Sequence, residues 1–97
     1  MADTVNICLI GAGRAGMVHA VNFRRMVEGA DLVAVADPVE ENRRAACHTL
    51  GIDRAYADYR DALQCPDIDA VVIVAPTSLH CEMTEAAAAA GKHVFCE

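Results

Sequence analysis

The chain has 97 residues, enough for one domain and short for a typical one. Hydrophobic residues make up 55% of it, and 8 Lys and Arg against 14 Asp and Glu leave a formal charge of −6. No apolar run approaches the ~20 residues of a membrane span, no basic and apolar leader opens the chain, and no Lys/Arg cluster interleaves with aromatics. A membrane or nucleic-acid partner is therefore not expected, and the protein reads as soluble and cytoplasmic.

The first predicted element is a strand over Val5–Ile10, which runs straight into Gly11-Ala12-Gly13-Arg14-Ala15-Gly16. A G-x-G-x-x-G series by itself can be an ordinary glycine turn, but its context here is specific. Gly11 suits a sharp exit from a strand, Gly13 a close approach of backbone to a pyrophosphate, and Gly16 close packing of a helix on the sheet. The N–H groups of that helix, at its partly positive end, then face a diphosphate without needing Lys or Arg. Met17, Ala20, Val21, Phe23 and Val27 can share one buried side of the helix. Arg14 reads equally as a pyrophosphate or adenine contact and as an exposed first-turn residue, whereas His19 reads as a packed helix residue. A second strand, Leu32–Ala36, ends in Asp37. This acid lies about 20 residues past the last glycine, where a carboxylate can accept from the hydroxyls of an adenosine ribose.

Asp37-Pro38-Val39-Glu40 is also a helix start in its own right, with Asp at the cap, Pro at the first position and Glu at the third. The predicted helix runs to Leu50 and is closed by Gly51; Arg43 and Arg44 read as its solvated face, with offsetting of a 2′-phosphate as the other possibility. Ala55-Tyr56 gives a short third strand, Asp58 opens a helix through Leu63, and Cys65-Pro66-Asp67 breaks it. The β-branched run within Asp69–Ala75 has no polar alternation, as expected of a central strand covered on both faces. Pro76-Thr77-Ser78 offers a turn and a hydroxyl cap for a helix from Leu79 to Ala90, closed by Gly91. His93–Cys96 begins a fifth strand. Strands alternating with helices imply an α/β fold, a Rossmann-type doubly wound parallel sheet. Residues 1–97 are expected to form one incomplete NAD(P)-binding domain, one strand short of six and without a second domain.

The five cysteines, Cys8, Cys47, Cys65, Cys81 and Cys96, show no C-x-x-C spacing, and the four histidines form no H-x-x-x-H or H-E-x-x-H pattern. Reduced thiols and no metal site are expected, with Cys8 and Cys96 acting as small buried hydrophobes within strands.

Several segments together resemble the N-terminal domain of the Gfo/Idh/MocA family, which includes glucose-fructose oxidoreductase and inositol dehydrogenases. They are the 11–16 loop with His19-Ala20, Ala34-Val35-Ala36-Asp37-Pro38, Ala75-Pro76-Thr77 with His80, and Gly91 through Glu97. The resemblance implies that Gly11, Ala12, Gly13, Arg14, Ala15 and Gly16 form the pyrophosphate loop and that Asp37 is the ribose acid. It also implies that Ala75, Pro76, Thr77 and His80 lie beside the nicotinamide ribose, and that Glu97 begins a Glu-Lys-Pro site. The lysine of that site, the family's catalytic base, would follow Glu97, so no catalytic residue is expected within these residues. Lys92 matches a turn before the last strand and is not a substitute for it.

The resemblance implies the nucleotide-binding portion of an NAD(P)-dependent oxidoreductase acting on CH-OH groups of a sugar, polyol or inositol-like substrate. This chain alone is expected to bind without catalysing. Asp37 favours NAD, with NADP the less suited cofactor, because a carboxylate repels a 2′-phosphate. The small substrate would bind through a further domain, and the full-length protein is expected to be a homo-oligomer. A non-catalytic nucleotide-sensing module is the alternative, and a structural fragment without ligand a third, since fold does not fix function.

Overall fold

The computed structural model describes residues 5–13, 29–74 and 77–96. Among the described residues five parallel strands form one sheet: β1 is Val5–Ile10, β2 Ala30–Ala36, β3 Ala55–Tyr56, β4 Ala70–Ile73 and β5 His93–Cys96. Among the described residues three helices accompany it: α1, Glu40–Leu50, after β2; α2, Tyr59–Leu63, after β3; and α3, Thr77–Ala89, after β4. The spatial order is β3-β2-β1-β4-β5, so the direction of growth reverses between β1 and β4, as in a doubly wound sheet. The predicted helix after Gly16, with His19, lies outside the described residues, as do Arg14, Ala15, Gly16, Ala75, Pro76 and Glu97.

Both faces of the sheet are apolar, which is why β1 and β4 read as continuous hydrophobic runs. On one face Cys8, Ile10, Ala36, Val71 and Ile73 pack with Ala62 and Leu63 of α2 and with Met83 and Ala87 of α3. On the other, Ile7, Leu9, Leu32, Val35 and Val72 pack with Ala46 and Leu50 of α1. A bulge in β2 was not expected from sequence: Ile7 pairs with Leu32 and Cys8 with Ala34, skipping Val33. Val33 and Ala34 consequently pack with the same cluster despite being adjacent. Beyond the bulge Ile10 pairs with Ala36, so the two strands end level and Gly11 and Asp37 emerge side by side.

Some boundaries differ from expectation. Helix α1 starts at Glu40, not Pro38, and Val39 at its N-cap is extended, at φ −89° and ψ 115°. Asp37 is therefore not the N-cap; its carboxylate accepts from Val39 N–H in a local turn and from a distant partner described below. Glu40 and Glu41 instead place negative charge in the first turn of α1, where the helix dipole favours it. Helix α3 begins at Thr77, which puts Thr77 and Ser78 in its first turn and not in a cap before Leu79. Strand β4 stops at Ile73, although Val74 N–H still reaches the Ile10 carbonyl at 2.8 Å. Asp58 caps α2 as predicted, accepting from Arg60 N–H.

At the N-terminal edge of the sheet the forked Arg54–Asp67 pair, at 2.6 and 3.1 Å, ties β3 to the turn before β4. Lys92 is part of the same edge: its Nζ donates to the Cys65 carbonyl at 2.8 Å. It belongs to the end of the sheet opposite the strands' C-termini.

The expectation for cysteines holds for Cys8 and fails for Cys96. Cys8 is fully buried, and that burial, with a lesser contribution from Cys65, pushes its thiol up to about 12. Cys96 is exposed: among the described residues β5 pairs with β4 alone, and the Cys96 Sγ lies 3.3 Å from Thr84 Oγ1. Thiol-specific alkylation of the native protein should therefore label Cys81 and Cys96 readily and Cys8 only on unfolding. The raised thiol keeps its proton in the fold. Stability associated with protonated Cys8 is intact below the ordinary value of 9.0 and falls as pH rises from there toward about 12. Mass spectrometry of labelled protein, with and without denaturant, checks the first; alkaline melting curves of wild type and Cys8→Ala check the second.

Candidate dinucleotide site

A cleft of about 660 Å³ opens at the C-terminal edge of the sheet, across the point where strand order reverses. Ligands of open α/β sheets bind in this crevice because loops diverge there in opposite directions. Gly11 and Gly13 form its base, with Asp37, Val39 and Asn42 on one side and Val74, Leu79 and Met83 on the other. A second groove, about 550 Å³, runs along α1 past Glu40, Arg44, Cys47 and His48. It has neither a glycine loop nor a strand's C-terminal end, so the switch-point cleft is the better site.

The glycine loop is tied directly to β2. Gly11, at φ 98°, donates its N–H to the Ala36 carbonyl at 2.8 Å. The next N–H, of Ala12, donates to Asp37 Oδ2 at 2.8 Å. Asp37 Oδ1 accepts from Val39 N–H at 2.8 Å, and Asn42 Nδ2 lies 3.4 Å from Oδ2. Among the described residues Asp37 is the one buried charged residue, at 7% exposure. It is held there by two backbone donors, which compensate a carboxylate for lost water. A carboxylate offers about four acceptor positions, so these contacts leave capacity for a ligand hydroxyl. Asp37 thus organises the loop and keeps free acceptor capacity at the lip of the cleft.

The outer part of the cleft is more apolar. Val39 is 49% exposed and Leu79 38% exposed, and both line it from opposite sides. Two exposed aliphatic side chains bordering one slot suit a flat ring. Tyr59 and Arg60 edge the same region, with the Arg60 guanidinium 5.7 Å from the Tyr59 ring centre. Partial burial, and then the Glu82 carboxylate, raise the Tyr59 phenol above its usual value, so it presents a neutral hydroxyl.

Of the predicted site residues, Gly11, Ala12, Gly13 and Asp37 are brought together at the ends of β1 and β2. Thr77 and His80 stand in the first turn of α3 but are not among the residues lining the cleft; Thr77 is exposed and His80 half-buried. Arg14, Ala15, Gly16, Ala75, Pro76 and Glu97 lie outside the described residues. Val39, Asn42, Tyr59, Leu79 and Met83 were missed from sequence. The available signal was position alone: each follows the C-terminal end of a strand, Val39 and Tyr59 by three residues and the others on the helix that comes after.

A parallel sheet with a glycine loop and a strand-end acid sharing its switch point defines a Rossmann-type nucleotide-binding domain. Residues 5–97 match the model of the oxidoreductase family with an NAD-binding Rossmann fold, Gfo/Idh/MocA, and the chain belongs to that family. It is 41% identical over 97 residues to scyllo-inositol 2-dehydrogenase (NAD(+)) of Bacillus subtilis, and this alignment covers all of the chain and 28% of that protein. It is 40% identical over 93 residues to myo-inositol 2-dehydrogenase of Thermotoga maritima, covering 96% of the chain and 28% of that protein. Among solved structures, scyllo-inositol dehydrogenase from Lactobacillus casei with bound NAD(H) and scyllo-inositol superposes with a TM-score of 0.91 at 38% identity. That match covers 97% of this chain and 28% of the other. The chain thus spans 28% of the length of these relatives. No helix among the described residues is long and apolar enough to cross a membrane.

Proposed function

We propose that this chain binds NAD in the switch-point cleft, as the nucleotide-binding part of an oxidoreductase acting on a CH-OH group of an inositol-like polyol or sugar. The observation that carries this is the join between Asp37 and Ala12, which sets a ribose acceptor beside the glycine loop. Because Gly11 and Ala12 give their N–H groups to Ala36 and Asp37, the pyrophosphate contacts fall to Gly13, Arg14, Ala15 and Gly16. Asp37 accepts from the adenosine ribose hydroxyls, and its charge disfavours the 2′-phosphate of NADP. Val39 and Leu79, with Met83 behind, border the adenine. Ala75, Pro76, Thr77, His80 and Glu97 serve the nicotinamide side, a reading supported by their match to the family pattern.

When bound, the nicotinamide supplies hydride acceptance, and the protein's part is binding, orientation and electrostatics. The proton of the substrate hydroxyl needs a general base. Five cysteines without paired spacing suit a reducing compartment, and the same reading takes the protein to be cytoplasmic.

Calorimetric titration of the chain with NAD tests the binding reading, and saturable one-to-one binding is expected. A folded chain that takes up no NAD would overturn it. A panel of inositols, other polyols and sugars, assayed by NADH absorbance with a full-length protein carrying this domain, tests the activity. Turnover on none of them would remove the oxidoreductase assignment while leaving the binding result standing.

A further inference from the structure

Four polar side chains stand around the apolar outer slot of the cleft: Asp58, Tyr59 and Arg60 where α2 begins, and Glu82 on α3. Two of them are engaged with each other. Asp58 Oδ1 accepts from Arg60 Nε at 3.3 Å and from the Arg60 backbone N–H at 2.9 Å, and the Arg60 guanidinium leans over the Tyr59 ring. No hydrogen bond or ion pair among the described residues engages the Tyr59 hydroxyl or the Glu82 carboxylate. Glu82 reaches the slot by helix periodicity, three residues after Leu79 on the side of α3 that borders the cleft.

These two groups differ in kind. The Tyr59 phenol keeps its proton and can donate, whereas an ionised carboxylate only accepts. The apolar walls, Val39 and Leu79, touch the faces of a flat ring, and a face contact does not distinguish one purine from another. An edge contact does. Adenine carries an amino donor at its six position beside ring-nitrogen acceptors. Hypoxanthine carries a carbonyl acceptor in that place and a donor at N1. A carboxylate set against that carbonyl brings two acceptors together with no proton between them, the mismatch that costs most at a recognition site.

We propose that Glu82, with Tyr59, selects the base: Glu82 accepts from the six-amino group of adenine and Tyr59 donates to N1, so the cleft distinguishes adenine from a six-oxo purine. This rests on the NAD-binding reading above and adds to it a contact with the edge of the base.

The test is the ratio of affinities for NAD and for nicotinamide hypoxanthine dinucleotide, which differs only in having oxygen in place of the six-amino group. It is measured by calorimetry on the chain and its variants, with melting curves to establish that each is folded. NAD should bind the wild-type chain about fivefold or more tightly than the analogue. Glu82→Gln, whose amide can donate to a carbonyl as well as accept, should bring the ratio to within about twofold of one, and Tyr59→Phe should lower it by a smaller factor. Glu85→Gln is the control, because it makes the same charge change on α3 at a residue that does not line the cleft; it should alter the ratio by less than about twofold. Equal affinities of the wild-type chain for the two dinucleotides would overturn the proposal while NAD binding stands. So would a Glu82→Gln ratio no lower than that of Glu85→Gln. Absence of NAD binding by the folded wild-type chain would instead overturn the parent reading and this one with it.

Discussion

Asp37→Ala is expected to remove measurable NAD binding and to lower the stability of the unliganded chain by about 2–3 kcal/mol. The second effect follows from what the carboxylate does without a ligand. Its two oxygens each accept a backbone N–H at 2.8 Å, from Ala12 and from Val39, in a setting where Asp37 is 7% exposed. Alanine leaves the buried Ala12 donor without its partner, and hydrogen bonds to a charged group are among the stronger ones a fold can lose. In a domain of this size such a loss corresponds to a fall in melting temperature of roughly 10–20 °C. Thermal melting followed by circular dichroism, with and without NAD, separates the two roles. A variant that melts like wild type but no longer binds NAD would mean that Asp37 serves the ligand alone. One that is destabilised yet binds NAD normally would mean that the carboxylate is only a structural clamp. Asp37→Asn, which keeps an acceptor but not the charge, should fall between wild type and alanine in stability.

The same residue shows what could be read from sequence and what could not. Strand β4 was legible because Val71, Val72 and Ile73 are buried on both faces, which removes polar alternation from the sequence. The glycine loop and Asp37 were legible because backbone conformation and spacing constrain residue type there. The start of α1 was misplaced because Asp-Pro-x-Glu is a local cap pattern, while the decisive partner of Asp37 is Ala12, 25 residues away. Nothing local marks the Val33 bulge, which arises from the pairing of β1 with β2. Cys96 looked buried because a strand's apolar pattern does not say whether the strand lies at the edge. The difference between Arg43 and Arg44 is likewise tertiary: neighbours of identical type, one turned back onto the Asp37 carbonyl and one to solvent.

Gly11 and Gly13 should part company under substitution, although the motif treats them alike. Gly11→Ala forces an L side chain to φ 98°, and in the folded chain this is expected to cost about 1–3 kcal/mol before any ligand is considered. It also disturbs the residue whose N–H locks the loop to Ala36 at 2.8 Å. Gly13 is not among the positive-φ glycines, and a Cβ placed on it meets nothing within 4 Å among the described residues. Gly13→Ala should therefore melt within about 0.5 kcal/mol of wild type, like an ordinary surface change. Its effect should appear only with NAD, as at least a tenfold loss of affinity, because in the proposed binding mode the added methyl stands where the pyrophosphate approaches the backbone. Paired melting and calorimetry on the two variants decide the matter. If Gly13→Ala binds NAD as wild type does, the open space above Gly13 is not where the diphosphate lies. The glycine loop would then be a device for joining β1 to β2, and the cofactor would have to be sought elsewhere along the strand ends.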